Sequence, residues 1–454
     1  MDSVGRSSLA LAFAGIVLMG VPGGSARADT PPPIRRAVPD YDGRPEIESP
    51  DYVDDALLVP RLLLAPIYLA NDYLVRWPLS VVVPAADRHD VPRKLYDFFT
   101  FGPNHNGGFF PVGLVQFSLQ PSYGVYAFWN DAFVRGQDLT LHVETWTSQW
   151  LYALFTERYR FRRAALDVRF KYNQRPDFPF YGIGPTSLNA DRSRYGAHWV
   201  EGAAQLEIPF WRLSRLDAFA GVRSLNFYPG WHDNDPSVEQ EAATGAFPLP
   251  PGLLTGYTIA YQRVTAVIDS RRPWPWSGSG ARLKAGAEYS EDLGAGTGGG
   301  WLRAGAAAGA FQDVNGLRRV LSLTLAAQLV DPIGQATIPF TELVMLGGDQ
   351  PMRGFPVQRL IGRSATVATL RYEWPIGPWV TGTIQGAFGN VFGANFDGFR
   401  PGLLRMSWAI GFSSDRASQS GYPAEVIIGF GTKPFDQGAN IESVNFLAGV
   451  NYGY

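Results

Sequence analysis

The sequence predicts an all-β fold: a transmembrane antiparallel β-barrel of about 16 strands, with a short helical N-terminal periplasmic segment. Three observations support this prediction. From about Val112 onward, apolar side chains recur with a period of two, in runs of about ten residues that suit tilted membrane strands. Many runs carry Tyr, Trp or Phe near their ends, as the aromatic girdles of membrane barrels do. Charged residues make up only 18% of the chain, whereas about a quarter is usual in soluble domains.

The N-terminus has the three parts of a secretory signal peptide. Arg6 precedes an apolar run over residues 9–21, and Ala26-Arg27-Ala28 has the small residues of a signal-peptidase cleavage site. A single anchoring helix is the alternative, but this run is shorter than the about 20 residues needed to cross a bilayer. We therefore predict a signal peptide over residues 1–28.

Two further segments precede the barrel. Residues 29–55 are rich in Pro and acidic side chains and bury little apolar surface, which predicts a flexible linker. Residues 56–108 form the only helix-like region, with apolar side chains near helical spacing and a short helix expected over Val91–Phe99. We predict a helical periplasmic segment over 56–108 and the transmembrane β-barrel over 109–454.

The strand pattern also predicts that the sheet closes into a barrel. In residues 166–173, apolar side chains alternate with polar ones, so that one face of the strand is apolar and the other is polar. Eleven such runs precede residue 340 and five follow residue 363, which gives an even number, as in bacterial single-chain barrels. A soluble β-sandwich is the alternative, but it needs neither ten-residue runs nor aromatic strand ends. In lipid an open sheet would leave unpaired backbone groups, so the strands are expected to close.

Composition excludes several classes of function. The chain has no cysteine, which excludes disulfides, thiolate metal sites and a cysteine nucleophile. Its formal net charge of −2 provides no basic excess for a phosphate backbone, so nucleic acid is not an expected partner. Residues 294–300 are rich in Gly but lack the Lys-Ser/Thr of a phosphate-binding loop, and are expected to be a flexible connection.

The histidines give no catalytic or metal-ligand spacing. Residues 231–235 could bind a metal ion, but an exposed polar loop is the favoured interpretation. We therefore predict no enzyme activity, no cofactor and no metal site. The five histidines are His89, His105, His142, His198 and His232.

The most specific motif lies between the eleventh and twelfth runs, in residues 338–355. Pro339-Phe340 is followed by Gly-Gly and then by Met-Arg-Gly-Phe. This succession resembles the sixth-loop signature of the BamA/TamA superfamily of outer-membrane assembly factors, also called bacterial surface antigens. A lone Arg-Gly-Phe would arise often by chance, but the preceding pairs at this spacing, with five strands still to follow, would not. The motif residues are Gly347, Gly348, Met352, Arg353, Gly354 and Phe355.

Weaker similarities extend the resemblance over residues 180–454. Residues 180–184 resemble the Phe-Tyr-Gly turn of the family, residues 269–278 its Asp-x-Arg hairpin, and residues 370–375 the strand that follows the sixth loop. The resemblance implies a C-terminal β-signal for barrel insertion, which includes Gly449, Tyr452 and Tyr454, although Phe is the commoner last residue.

The resemblance also implies a location and a role. The location is the bacterial cell outer membrane, with the lipid bilayer as a partner and polypeptide clients or periplasmic proteins as further possible partners. The role is to assist insertion or translocation of polypeptides, or of lipids. Residues 29–107 lack the strands of the POTRA modules that assembly factors carry, which weakens the expectation of insertase activity. A passive or gated pore is the alternative function, and an outer-membrane hydrolase is the third.

Strand alternation suggests a partner for the loop motif. Glu373 shares a face with Arg371, opposite Leu370, so this face should be luminal. A charge in a narrow lumen requires a partner, and Arg353 could form a two-pronged pair with Glu373. The alternative is a hydrated arginine in an extracellular loop. Family members place a second acid on the next strand, where this chain has Ala387, so the docking is expected to be weaker here.

Overall fold

The computed structural model describes residues 88–272, 278–294, 299–314, 316, 318–348, 351–376, 380–414 and 424–450. The predicted signal peptide (1–28), the linker (29–55) and the helical segment up to residue 87 lie outside the described residues. So do Tyr452 and Tyr454 of the predicted β-signal. These assignments stay predictions.

The predicted barrel is confirmed. Within the described residues, sixteen antiparallel strands follow one another around the sheet, and the last pairs with the first. They are β2 (Gly107–Gln116), β3 (Ser122–Trp129), β4 (Gln137–Thr145), β5 (Leu151–Arg160), β6 (Ala165–Phe180), β7 (Ser193–Trp211), β8 (Ser214–Pro229), β9 (Tyr257–Asp269), β10 (Gly280–Asp292), β11 (Gly300–Asp313), β12 (Val320–Pro332), β15 (Ser364–Pro375), β16 (Val380–Phe392), β17 (Arg405–Ser414), β18 (Ala424–Thr432) and β19 (Ile441–Val450). Three short strands are not among these sixteen: β1 (Thr100–Phe101), β13 (Val344–Leu346) and β14 (Leu360–Gly362).

The two faces of the sheet differ as the alternation predicts. In β12, Leu321, Leu323 and Leu325 are 43%, 49% and 56% exposed and point outward, while Ser322 between them is buried. The outward face therefore presents aliphatic side chains to hydrocarbon and the luminal face carries polar ones. Closure gives each barrel strand two neighbours and removes the free edges that lipid would not tolerate.

The connections at the two ends of the barrel have different lengths. At one end the turns are short, as at residues 161–164 and 212–213, and the first barrel strand begins there. At the opposite end lie the longest connections, residues 230–256 and 333–363. Because outer-membrane barrels have short periplasmic turns and longer extracellular loops, the long connections define the extracellular end.

Two α-helices are described. The helix predicted over Val91–Phe99 is present as α1 and leads into β1. The prediction that no later region is helical was wrong, because α2 (Val238–Thr244) lies in the long loop before β9. Its start is marked in the sequence by a capping box, in which the side chains of Ser237 and Gln240 bond each other's backbone N–H. Neither described helix has the length and apolar run needed to cross a membrane.

Aromatic side chains fill the extracellular part of the lumen. Phe340 is fully buried, with its ring 5.0 Å from that of Tyr195, 5.2 Å from Phe227 and 5.5 Å from Phe180. Phe340 belongs to the long loop 333–363, whereas Phe180, Tyr195 and Phe227 lie on β6, β7 and β8, respectively. This packing holds the long loop in the lumen, against the inner face of the barrel.

Candidate functional site: the sixth loop and the barrel seam

The connection between β12 and β15, residues 333–363, is called loop 6. It folds back into the barrel, where β13 and β14 form a two-stranded hairpin. Beyond β13 the chain turns through Gly347 and Gly348, whose φ angles of 111° and 85° are strained for any side chain. Met352 and Phe355 are fully buried. The motif therefore lies inside the lumen.

The tip of loop 6, residues 352–355, packs its backbone against the inner wall. The Gly354 N–H donates to Ser407 Oγ of β17 at 2.7 Å, and Ser443 Oγ of β19 donates to the Gly354 carbonyl at 2.8 Å. A Cβ atom at residue 354 would lie 2.0 Å from the carbonyl oxygen of Phe430 in β18. Only glycine allows this approach, so the tip is seated on the last three strands of the barrel.

Arg353 is buried, but its partner is not the predicted one. Its Nη2 lies 3.5 Å from Glu425 Oε1 of β18, with the two side chains 3% and 4% exposed. The alternative of a hydrated extracellular arginine is therefore wrong, and so is the pairing with Glu373. Glu373 instead lies 3.5 Å from Arg371 on its own strand.

The path of the chain explains this correction. Gln385 of β16 donates from Nε2 to the carbonyl of Pro351, and Asn445 of β19 donates to the carbonyl of Arg353 at 2.9 Å. Loop 6 thus crosses β16 at Pro351, before the tip. Arg353 therefore lies beyond β15, next to β18 and β19. Residue 387, where the family pattern would place an acid, is a buried alanine facing the same region.

The stem of loop 6, residues 340–346, docks on the opposite side of the lumen. Glu342 Oε2 accepts from Arg223 at 2.7 Å and lies 3.5 Å from Arg303, while Oε1 accepts from the Tyr257 hydroxyl at 2.6 Å. These three partners lie on β8, β11 and β9. Sequence reasoning assigned Glu342 no role. Its signal was a lone carboxylate within an apolar stretch, which requires partners when it is buried.

The seam between β19 and β2 is short. Within the described residues, only residues 114–116 of β2 and 447–449 of β19 form paired positions, with one further bond from the Phe117 N–H to the Phe446 carbonyl at 2.8 Å. By contrast, β7 and β8 share sixteen paired positions. The loop-6 tip therefore rests on strands that include the weakly paired last one.

The start of β2 has a different neighbour. Thr100 and Phe101 of β1 pair with Gly108 and Gly107, on the part of β2 that β19 does not reach among the described residues. The segment after α1 thus supplies backbone partners to the first residues of β2.

The 231–235 loop, considered from its sequence as a metal site, is held by ion pairs. Among the described residues, no group of three or more His, Asp or Glu side chains is placed to hold a metal ion. Asp235 of the 231–235 loop is engaged by Arg192 at 2.8 Å and Arg194 at 2.7 Å. Burial lowers the pKa of the neighbouring His232, and the Arg194 cation acts in the same direction.

Comparison with known proteins supports the fold. No family model and no curated protein matches the sequence. The structure is similar to that of BamA from Haemophilus ducreyi lacking POTRA domains 1–3, with 14% identity, a TM-score of 0.53, and coverage of 76% of this chain and 70% of that one.

Two CdiB structures are also similar, from Acinetobacter baumannii and Escherichia coli. Identity is 12% and 11%, the TM-score is 0.48 for each, and the matches cover 76% and 75% of this chain. They cover 60% and 62% of the CdiB chains, so this chain spans less than two thirds of their length. At 14% identity, the likeness to BamA shows the fold alone. The chain is a bacterial outer-membrane β-barrel with a fold similar to that of the BamA barrel.

Proposed function

We propose that this barrel assists the insertion or translocation of polypeptides, or of lipids, at the outer membrane, without catalysis of its own. The observation that carries the proposal is the short pairing between β2 and β19 within residues 107–450. Each backbone hydrogen bond contributes a net of about 0.5–1.5 kcal/mol, so the three positions paired among the described residues contribute much less than the sixteen between β7 and β8. An opening here would connect the lumen to the bilayer laterally.

The position of the loop-6 tip supports this proposal. The tip bonds to Ser407, Ser443 and Asn445, which lie on β17 and β19, next to the seam. Those bonds hold the inner face of β19 where its pairing with β2 is sparse. Release of the tip would therefore weaken the seam further. A client in the lumen that displaced the tip would also favour opening of the seam.

A cross-link can test whether the seam must open. Because the chain has no cysteine, Val115→Cys with Ala448→Cys would introduce the only thiols, at directly opposed positions. The reconstituted protein should accelerate the folding of an unfolded outer-membrane barrel into vesicles, measured by heat-modifiable gel migration. Oxidation should abolish this acceleration and a reductant should restore it.

The matched control places the same residue types at another junction. Ala218 and Val264 are directly opposed on β8 and β9, far along the sheet from the seam. Their cysteine pair should cross-link without loss of acceleration. If the seam-locked protein works as fast as its reduced form, lateral opening is not part of the function.

A gated pore is the second candidate, and one observation favours it. A cavity of about 560 Å³ lies below loop 6 within the lumen. The aromatic packing around Phe340 blocks its extracellular side, so conduction would require loop 6 to move. Steady ion conductance in planar bilayers with the seam cross-linked would favour the pore, and its absence would favour the lateral route.

A further inference from the structure

The cavity below loop 6 has two kinds of wall. On one side it is lined by Leu114, Gln116 and Leu447, which belong to the seam. On the other side it is lined by Lys171, Arg169 and Arg263 of β6 and β9, among others. Its volume of about 560 Å³ is within the range of ligand pockets, about 300–1,000 Å³. The chamber is therefore uncharged on the seam side, with two leucines, and cationic on the far wall.

The cationic wall has an excess of positive charge. Among the described residues, five cations line the chamber, and three carboxylates line it or contact those cations. The cations are Arg169, Lys171, Arg223, Arg263 and Arg303, and the carboxylates are Glu201, Glu288 and Glu342. Two positive charges are thus left without a compensating carboxylate, in a confined space where charges are costly unless paired.

Lys171 stands out among these cations. Its Nζ lies 4.0 Å from the centre of the Trp199 ring and 5.9 Å from that of Tyr152. Within the described residues it has no hydrogen bond or ion pair. The nearby Glu201 is already engaged by Arg169 at 3.1 Å and by the Tyr261 hydroxyl at 2.7 Å. The ammonium is therefore available to an anion that enters the chamber.

We propose that this chamber binds a phosphate group through Lys171 and the neighbouring arginines. Arginine and lysine are the usual phosphate ligands, through bidentate bonds and as a point charge respectively. The phosphate could belong to a lipid headgroup, whose acyl chains would leave along Leu114 and Leu447, or it could be free phosphate. The lipid form names a substrate class for the proposed function and rests on it for entry through the seam.

Acetylation of lysines provides a readout specific to this site. The chain has only four lysines, Lys94, Lys171, Lys284 and Lys433, and peptide mass spectrometry can follow each one. The full-length protein in maltoside detergent, which carries no phosphate, sets the baseline rate. Dioleoyl phosphatidic acid is added in one arm and inorganic phosphate in the other. Bonds to charged groups predict that acetylation of Lys171 slows by about tenfold when the site is filled.

The arms separate the sources of the ligand. Protection by phosphatidic acid alone supports a lipid site, and protection by both supports a general phosphate site. No protection in either arm, or equal slowing at Lys284, overturns the proposal. Lys284 is the internal control because it shares the luminal face with Glu288 on β10 and does not line the chamber.

Charge removal gives an independent measurement. Lys171→Met should weaken binding of a fluorescent phosphatidic acid by about tenfold, and the matched Lys284→Met should leave it unchanged. Heat-modifiable migration checks that both variants fold. Equal binding by both variants would refute a role for Lys171. Because this measures binding, it can fail while the seam cross-link still blocks insertion, or succeed while insertion is unaffected.

Discussion

The stem and the tip of loop 6 are held in different ways. The stem is anchored by one carboxylate, Glu342, which has short bonds to Arg223 and Tyr257 on the extensively paired side of the barrel. The tip buries Met352 and Phe355, and its hydrogen bonds to the wall run through its backbone, to Ser407 and Ser443 on the side that contains the seam. The ion pair between Arg353 and Glu425, at 3.5 Å, is longer than the 2.7 Å contact at the stem.

This difference assigns different roles to the two ends. Buried charged bonds that are short and mutually satisfied fix a segment in one place. Backbone contacts to small hydroxyl side chains are individually weaker, about 0.5–1.5 kcal/mol each, and can be exchanged one at a time. The stem is thus suited to anchor loop 6, while the tip is suited to leave the wall beside the seam.

The largest effect is expected from Glu342→Gln. It removes the closer of the two carboxylates that Arg223 and Arg303 share and leaves them only the contacts to Glu288, at 3.5 Å and 4.0 Å. Breaking a buried pair costs about 3–5 kcal/mol when no other partner remains, so we expect a loss of up to about 3 kcal/mol. Urea unfolding in vesicles should show this loss, and protease should gain access to residues 340–346. The control Glu373→Gln removes a luminal carboxylate whose contact is a 3.5 Å pair on its own strand, and should change little. Equal stability of the two variants would contradict the anchoring role of the stem.

A smaller effect is expected at the tip from Gly354→Ala. The added methyl would meet the Phe430 carbonyl oxygen at 2.0 Å, so the tip must lift, at a cost of about 1–3 kcal/mol typical of overpacking. Protease cleavage within residues 347–363 should increase while heat-modifiability is kept. Gly386→Ala on β16, where the new methyl meets nothing within 4 Å, is the control. Unchanged protection in Gly354→Ala would mean that the tip is not seated as described.

The ion pair of the tip can be isolated by a double-mutant cycle. Arg353→Ala and Glu425→Ala should show a coupling energy within the about 0.5–3 kcal/mol found for residues in contact, near the lower end because the contact is 3.5 Å long. The same cycle with Glu373→Ala should be additive to within about 0.5 kcal/mol. Coupling to Glu373 in place of Glu425 would restore the pairing predicted from the sequence.

The barrel was predictable because one physical rule repeats along the chain. Lipid outside and water or packed loops inside impose a period of two on every strand, so that each run can be recognised by itself. α2 was missed because a helix of seven residues inside a long loop is too short to show such repetition. Only its capping box, Ser237 with Gln240, signalled it.

The candidate site was only partly predictable, for a different reason. The motif itself predicted a buried loop tip, because Gly347, Gly348 and Gly354 require unusual backbone geometry or close approach. Its partners depend on where the loop crosses the lumen, which no local pattern encodes. Glu373 and Glu425 both fit the alternation of a luminal face, and only the path of the chain selects Glu425.

The smallest effect on overall stability is expected from Gly449→Ala, which acts on the seam alone. A Cβ at residue 449 would lie 2.4 Å from the Gly113 carbonyl oxygen and 2.7 Å from Leu114 Cα, so β19 must move away from β2. The rest of the ladder is untouched, and the urea midpoint should stay close to that of the unmodified protein. Loss of about one backbone bond, about 1 kcal/mol, should slow disulfide formation between Val115→Cys and Ala448→Cys by about fivefold. Gly202→Ala, where the methyl meets nothing within 4 Å on β7, should leave that rate unchanged. If both alanine variants oxidise at the same rate, close packing at Gly449 does not hold the seam, and the weak side of the barrel would depend on the loop-6 tip alone.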